Sequence, residues 1–233
     1  MHRCVKVWYY DKNQDNRTFA VRDDVIFLAE ESAPINNLLD MNGQLVCGDI
    51  WGGIRIYYDW VQNAQSDNTL FISRRQSSRM QFQGSSIACM EQLDEHLLAV
   101  SIQPFEDSRV LPSALSLSVT SPRGVYILDT KESSVKAILD AHRDTVMCMC
   151  SLPDGGLLTA GGKMDATVRV WDSVAASNGD INDGAGDEVK IFQEARIMKQ
   201  PGYVFDVQVL PDSNGSGVYA IAAARYNVIK IVI

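Results

Sequence analysis

The chain has 233 residues, of which 46% are hydrophobic and 21% are charged, as in an ordinary folded globular protein. This composition excludes wholesale disorder, a collagen-like fibre and a disulfide-packed miniprotein. Lys and Arg number 21 against 29 Asp and Glu, so the formal net charge is −8. Because this charge repels a phosphate backbone, we expect no nucleic-acid partner.

No apolar stretch is long enough to cross a bilayer. The longest, Val218 to Ala224, falls far short of the roughly 20 residues that a spanning helix needs, and the N-terminus carries no secretory pattern. The number of cysteines is odd, and each lies in an apolar segment, which suits reduced thiols buried as small hydrophobic groups. We therefore expect no membrane insertion and a cytoplasmic or nuclear location.

Short segments rich in Val, Ile, Leu and Tyr alternate with turn residues along the chain, which predicts an all-β fold. One short sequence motif recurs as the third strand of a repeating unit, with a basic residue between branched apolar neighbours in its stronger copies. We expect these strands to be half-buried, with the basic stem covering one rim. In chain order the copies are Val5-Lys6-Val7-Trp8, Ile54-Arg55-Ile56-Tyr57, the weaker Val125-Tyr126-Ile127-Leu128, Val168-Arg169-Val170-Trp171 and Ile229-Lys230-Ile231-Val232.

The copies are unevenly spaced, which indicates insertions in a single repeat domain spanning residues 1–233. Two segments qualify as insertions: 102–123, a long connection, and 173–188, a flexible acidic loop rich in Gly, Asp and Asn. The units then comprise approximately residues 1–30, 31–84, 85–140, 141–198 and 199–233.

The segment Ala141 to Asp172 resembles a full repeat of the WD-repeat β-propeller family, with Ala-His at its opening and Trp-Asp at its close. The resemblance implies radial four-stranded sheets, or blades, in which a repeat supplies three strands of one blade and the outer strand of its neighbour. We count about 17 strands, hence about four to five blades. Most members of the family have seven, so we expect an incomplete part of a seven-bladed ring, completed by additional blades or by another subunit.

The resemblance also implies a buried hydrogen-bond set, for which the matching residues are His142, Asp165 and Trp171. Counting from His142, the hydroxyl position of the set falls on Ala160, and Thr159 could serve only if the strand slipped. We therefore expect an incomplete set. Its role is interpreted as structural rather than catalytic, because buried polar groups that satisfy one another need no substrate.

Candidate partner-binding residues lie on loops that, by the resemblance, open onto the narrow face of a propeller. Two loops occupy the position of the family's loop Asp, one with Trp51 and one with Arg225 and Tyr226, residue types that are enriched in interface hot spots. Around the best repeat, Arg143, Lys163 and Met164 are further candidates. The alternative is that Trp51 packs against a neighbouring blade.

A basic stretch from Ser73 to Arg79 fits the recognition pattern of basophilic kinases at Ser77, which makes this residue a possible phosphosite. The alternative is a solvated turn. No metal site and no cofactor are predicted, because the acidic loop lacks calcium spacing, the segment from Gly155 to Lys163 lacks the Ser or Thr of a phosphate loop, and Cys148 and Cys150 have no second ligand pair.

Together these features predict a non-catalytic scaffold that binds other proteins through propeller loops. One alternative is the propeller portion of a multidomain signalling or ubiquitin-ligase protein whose catalytic activity lies outside this chain. A propeller enzyme is the less favoured alternative, and it would require a deep polar pocket containing carboxylates with perturbed pKa values.

Overall fold

The computed structural model describes residues 4–6, 25–28, 34–58, 69–72, 77–105, 116–117, 123–175, 190–200, 202–211, 218–224 and 228–232. In these ranges every regular element is a β-strand, so the predicted all-β class is confirmed. The same residues contain no helix long and apolar enough to span a membrane.

The described residues form nineteen strands. Their bounds are β1 Cys4–Lys6, β2 Val25–Leu28, β3 Ile35–Met41, β4 Gln44–Asp49, β5 Gly53–Tyr57, β6 Thr69–Ile72, β7 Ser77–Phe82, β8 Ser85–Gln92, β9 Leu97–Pro104, β10 Ser116–Leu117, β11 Val125–Asp129, β12 Ser134–Leu139, β13 Val146–Ser151, β14 Leu157–Gly161, β15 Thr167–Ala175, β16 Lys190–Lys199, β17 Val204–Pro211, β18 Val218–Ala224 and β19 Val228–Val232.

The strands form five sheets in the described part of the chain. The first has the order β1-β2-β6, the second β10-β7-β5-β4-β3, the third β12-β11-β9-β8, the fourth β13-β14-β15-β16 and the fifth β17-β18-β19. Two pairings are parallel, β2 with β6 and β10 with β7, and the other ladders are antiparallel. Antiparallel meanders follow from the short turns between consecutive strands.

Neighbouring sheets meet through their first strands: β3 packs on β8, β8 on β13, and β13 on β17. This is the arrangement of propeller blades, whose innermost strands surround a common axis. Equivalent loops of successive sheets therefore open at the same end of the structure.

The hydrophobic core lies between the sheets. On β11, Tyr126 and Leu128 pack in a cluster with the second sheet, whereas Val125 and Ile127 pack in a cluster with the fourth. Because side chains alternate along a strand, one strand serves both interfaces. A third cluster joins the fourth sheet to the fifth through residues such as Val168 and Val207.

The third strands are more deeply buried than the sequence pattern predicts. All five residues of β5 are buried, and both Arg55 and Arg169 are only 8% exposed. The expectation of half-buried strands is therefore wrong for these two copies. The physical reason is that each strand lies inside its sheet rather than at an edge. Strand β15 is also covered on both faces, by the clusters shared with the third and fifth sheets.

Both predicted insertions begin later than the sequence suggests, because β9 continues to Pro104 and β15 to Ala175. Within the first insertion, β10 adds to the edge of the second sheet. Residues 176–188 of the second insertion lie outside the described residues. The unit boundaries themselves stay a prediction.

Candidate functional site

A network of buried side chains connects the strands of the fourth sheet. Thr159 Oγ1, on β14, lies 2.7 Å from Nε2 of His142 and accepts a hydrogen bond of 2.8 Å from the indole nitrogen of Trp171 on β15. On its other side, His142 Nδ1 hydrogen-bonds to the carboxylate of Asp165. The hydroxyl of Thr167 donates to the same carboxylate oxygen at 2.7 Å. We call these five residues the His142 network.

The hydroxyl of this network belongs to Thr159, so the sequence-based placement on Ala160, and with it the expectation of an incomplete set, is wrong. Ala160 lies in the cluster that joins the fourth and fifth sheets, together with Leu158. Adjacent strand residues point to opposite faces, so Thr159 points to the face of Trp171. Counting from His142 fails because the pairing of β13 with β14 contains a bulge that follows Val146.

The electrostatics of the His142 network favour a neutral imidazole beside an ionised carboxylate. Burial lowers the pKa of His142, and the interaction with Asp165 offsets this only in part. Burial raises the pKa of Asp165, but hydrogen bonds from Thr167 and His142 outweigh it, so this pKa lies below its usual value. Nδ1–H of His142 then donates to Asp165, and Nε2 accepts from the Thr159 hydroxyl.

The threonine, histidine and aspartate in this order resemble a catalytic triad, but the environment excludes nucleophilic attack. Thr159 is fully buried, and its oxygen already binds both His142 and Trp171. A nucleophile must reach its substrate and give up its proton to the base in the same step. The His142 network is thus a structural brace.

The lowered pKa of His142 makes stability depend on pH. Below about pH 6.5 the unfolded chain binds a proton at this histidine while the folded chain does not, so stability falls as the pH falls. We expect the free energy of unfolding to decrease between pH 7 and 5.5, with a contribution of at most about 1.4 kcal/mol per pH unit from this group. Urea unfolding at several pH values measures the slope.

The control for this pH dependence is His142→Gln, whose amide still reaches Asp165 but does not titrate. We expect the variant to be less stable than the parent at pH 7 and to have a flatter slope between pH 7 and 5.5. Parallel curves for parent and variant would contradict a depressed histidine pKa.

The turn between β14 and β15 is fixed against the segment that precedes β13. Asp144 accepts hydrogen bonds from the backbone N–H of Thr145 at 2.8 Å and of Met164 at 2.9 Å, one on each carboxylate oxygen. The N–H of Gly162 donates to the carbonyl of Thr145 at 2.8 Å. These bonds hold Lys163 and Met164 at the tip of the turn, where both are exposed and Met164 reaches 78%.

A similar turn between β4 and β5 presents Trp51, which is 53% exposed. Asp49 Oδ1 accepts from the backbone N–H groups of Trp51 and Gly53, each at 2.8 Å, and the Gln81 amide donates to the Trp51 carbonyl. Sequence comparison of the repeats placed Trp51 at the loop-Asp position and missed Asp49. An Asp two residues before an exposed aromatic in a Gly-rich turn is the signal that could have found it.

The remaining sequence candidates are distributed as follows. Arg143 is exposed beside the His142 network. Ser77 is the first residue of β7, and nothing of its side chain is described. Arg225 and Tyr226 lie outside the described residues.

The turns that carry Trp51 and Lys163 are equivalent loops of two blades, so they open at the same end, which we call the turn face.

The turn face contains a cavity of about 370 Å³ between the third, fourth and fifth sheets. We call it the Tyr203 cavity. Sequence reasoning missed the residues of this cavity, since their positions depend on how the sheets are assembled. Its lining consists of Gln103, Asp144, Thr145, Met147, Gly162, Lys163 and Tyr203.

Apolar side chains extend this cavity at the surface. Met147 is 47% exposed and Phe205 is 56% exposed. The ring of Phe205 packs edge-on against that of Tyr203, with centroids 4.4 Å apart. An aromatic pair of this geometry forms a preorganised apolar surface.

A second cavity, of about 740 Å³, lies where the first strands end. We call it the Glu91 cavity. Its lining includes Glu91, Asp94 and Glu95, together with Leu39 and Leu93. It has no Lys or Arg among its described lining residues, so the electrostatic character of this end differs from that of the turn face.

The cysteines and acidic residues form no metal centre in the described part of the chain. Cys47, Cys89, Cys148 and Cys150 form no disulfide bond. Burial raises the pKa of Cys148 to about 12, so the group is a protonated small hydrophobe rather than a ligand. Among the residues described, no group of three or more His, Cys, Asp or Glu side chains is placed to hold a metal ion.

Comparison with known protein families gives one match: the family "WD domain, G-beta repeat" matches residues 133–172. The match covers β12, the outer strand of the third sheet, followed by β13 to β15 of the fourth. This is the division of strands that the sequence resemblance implied. The chain is a β-propeller that carries a WD40 repeat. The predicted fold class is confirmed, and the predicted resemblance to the WD-repeat family is confirmed for residues 133–172.

Solved structures share this propeller fold at low sequence identity. The computationally designed Ika4 protein superposes with a TM-score of 0.57 and 12% identity over 89% of this chain and 96% of its own. The designed Ika8 protein superposes with a TM-score of 0.57 and 12% sequence identity, and the match covers 89% of this chain and 48% of the Ika8 chain. The WD40 repeats of RRP9 superpose with a TM-score of 0.54 and 12% sequence identity, and the match covers 88% of this chain and 52% of the RRP9 chain.

The chain spans about half the length of the Ika8 and RRP9 chains that it resembles in structure. No curated protein matches it in sequence at a significant level. WD40 repeats form a scaffold kind of fold that generally binds other proteins and is generally non-catalytic. At this identity the structural likeness bears on the fold alone.

Proposed function

We propose that this propeller is a non-catalytic platform that binds partner proteins through the turn face. The observation that carries the proposal is the exposure of Trp51, Lys163 and Met164 on turns whose backbone N–H groups are held by the carboxylates of Asp49 and Asp144. Loops fixed in this way lose little conformational entropy on docking, so more of the contact energy contributes to affinity.

The distribution of perturbed carboxylates supports a platform over an enzyme. Asp165 is enclosed by its own hydrogen-bond partners. Among the described residues, the other carboxylate with a lowered pKa is Asp129, where burial is outweighed by the backbone N–H groups of Glu132 and Lys131 in a surface turn. Neither residue lines the Tyr203 cavity or the Glu91 cavity. A propeller enzyme would need such groups in a pocket.

A catalytic function outside these residues is compatible with the platform. In that case the propeller would recruit partners for an activity located elsewhere in a signalling or ubiquitin-ligase protein. We also propose a cytoplasmic or nuclear compartment, which is supported by the four free thiols of the described residues.

Replacement of Trp51 by alanine tests the platform. We expect Trp51→Ala to leave the melting temperature within a few degrees of the parent, because the side chain is half exposed. Capture of bound partners should fall markedly, since loss of a hot-spot aromatic costs about 2 kcal/mol or more. Affinity capture from lysate with quantitative mass spectrometry measures the change.

The matched control is Ile138→Ala, which removes another exposed apolar side chain but lies on β12, the outer strand of the third sheet. We expect this variant to retain the partners of the parent. Equal recovery of all partners by the parent and both variants would refute binding through Trp51.

A further inference from the structure

We propose that the Tyr203 cavity binds a short peptide segment of a partner in which an apolar side chain is flanked by carboxylates. The proposal rests on the platform function and names the chemistry of its partner. The size of the cavity, about 370 Å³, suits one large side chain with its adjoining backbone. Met147 and Tyr203 supply apolar surface in the lining, and Phe205 packs against Tyr203.

The charges around this cavity favour an acidic ligand. Lys163 lines the cavity, whereas Arg143 does not line it but directly precedes the lining residue Asp144 in the chain. Both side chains are exposed, and the ion pairs found within the described residues include neither of them. Asp144 is also in the lining, but its two oxygens accept backbone N–H groups, which compensate its charge in part. Within the described residues, the cations of Lys163 and Arg143 therefore remain for carboxylates of a ligand.

The described carboxylate beside the apolar pair is Asp206, which is exposed and adjacent to Phe205. Asp206 does not line the cavity, so the positive charge in the lining lies on the side of Lys163. We therefore expect the ligand to place its carboxylates on that side and its apolar side chain against Tyr203. These two contacts define the orientation of the bound peptide.

The opposite end of the propeller excludes the same ligand. Glu91, Asp94 and Glu95 line the Glu91 cavity. Glu91 accepts hydrogen bonds from Ser151 and Asp94 accepts one from the N–H of Glu95, but no Lys or Arg is among the described lining residues. An acidic peptide is repelled there and attracted to the turn face, although the whole chain carries a net charge of −8. This difference in charge between the two ends selects one cavity for the peptide.

The position of Lys163 is fixed before binding. Its turn is held by Asp144 and by the hydrogen bond from Gly162 N to the Thr145 carbonyl. The His142 network lies directly beneath, through Asp165 and Thr167. A cation presented on such a turn needs little ordering when a carboxylate binds.

Fluorescence polarisation with labelled twelve-residue peptides tests the proposal on the 233-residue chain. The panel has Leu, Phe or Trp at its centre, with Glu, Gln or Lys on both sides; polyglutamate without an apolar residue is included. We expect Glu-flanked peptides to bind at least about tenfold more tightly than Gln-flanked or Lys-flanked ones, and more weakly as salt is raised. Polyglutamate should bind weakly.

Charge reversal assigns the site. Arg143→Glu combined with Lys163→Glu should abolish binding of Glu-flanked peptides and favour Lys-flanked ones, with an unchanged melting temperature because both side chains are exposed. Glu95→Lys, at the opposite cavity, is the matched control and should bind as the parent does. Met147→Ala should weaken binding of all apolar-centred peptides equally.

Three results would overturn the proposal: no binding by any peptide of the panel, equal binding by polyglutamate, or binding that survives the double reversal. The last includes the case in which the peptide occupies the Glu91 cavity. These failures are distinguishable from failure of the platform function. If Trp51→Ala still reduces partner capture while the panel fails, the platform stands and the acidic-apolar ligand is wrong.

Discussion

Replacing Trp171 by alanine is expected to lower the free energy of unfolding by about 3 to 5 kcal/mol, the scale for deleting a buried aromatic residue. The side chain is 5% exposed and packs in the cluster between the third and fourth sheets. Its indole nitrogen also donates to Thr159. The substitution thus opens a cavity and removes one donor from the His142 network, and chemical denaturation measures both effects together.

A conservative variant separates the two contributions of Trp171. Trp171→Phe keeps most of the apolar contact but cannot donate to Thr159, so we expect a smaller loss of about 1 to 2 kcal/mol. Trp51→Ala serves as the control for removing a tryptophan from the surface. An unchanged melting temperature for Trp171→Ala would show that the third and fourth sheets do not pack as described.

Replacing Gly52 by alanine is expected to destabilise the second sheet by about 2 to 4 kcal/mol, the sum of left-handed strain and overpacking. Gly52 has φ of 79°, and a Cβ added to it would lie 2.0 Å from the carbonyl oxygen of Phe82 and 2.7 Å from that of Ser85. These are backbone atoms of β7 and β8, so relief requires movement of the strands. The turn that carries Trp51 would be displaced.

Gly43 provides a matched control, since its φ is also 79° but a Cβ there would meet nothing within 4 Å. Gly43→Ala should therefore cost only the conformational strain, about 1 kcal/mol. Thermal or urea unfolding of the two variants compares them directly. Equal losses would mean that the close approach of Gly52 to Phe82 contributes nothing.

The sequence by itself determined the fold class and the repeat. Period-two segments bounded by turn residues specify strands, because only this pattern places apolar side chains on a pleated face. The segment from Ala141 to Asp172 determined the resemblance to a WD repeat, since the spacing of His142, Asp165 and Trp171 is local. The number of residues between such positions can be read directly from a single sequence.

The tertiary structure decided what depends on contacts between sheets. It selected Thr159 rather than Ala160 for the His142 network, because a bulge in β13 alters the pairing with β14 and the strand alternates its faces. It enclosed Arg55 and Arg169, because both lie on strands inside their sheets, although the sequence pattern alone indicates half-buried strands.

The tertiary structure also created the Tyr203 cavity. Gln103, Met147, Lys163 and Tyr203 come from three sheets and are distant in sequence, so no periodicity or spacing relates them. Their proximity follows from the packing of β8, β13 and β17 around one axis. A surface assembled across blades is fixed by long-range packing, whereas strands and turns are fixed by the residues within them.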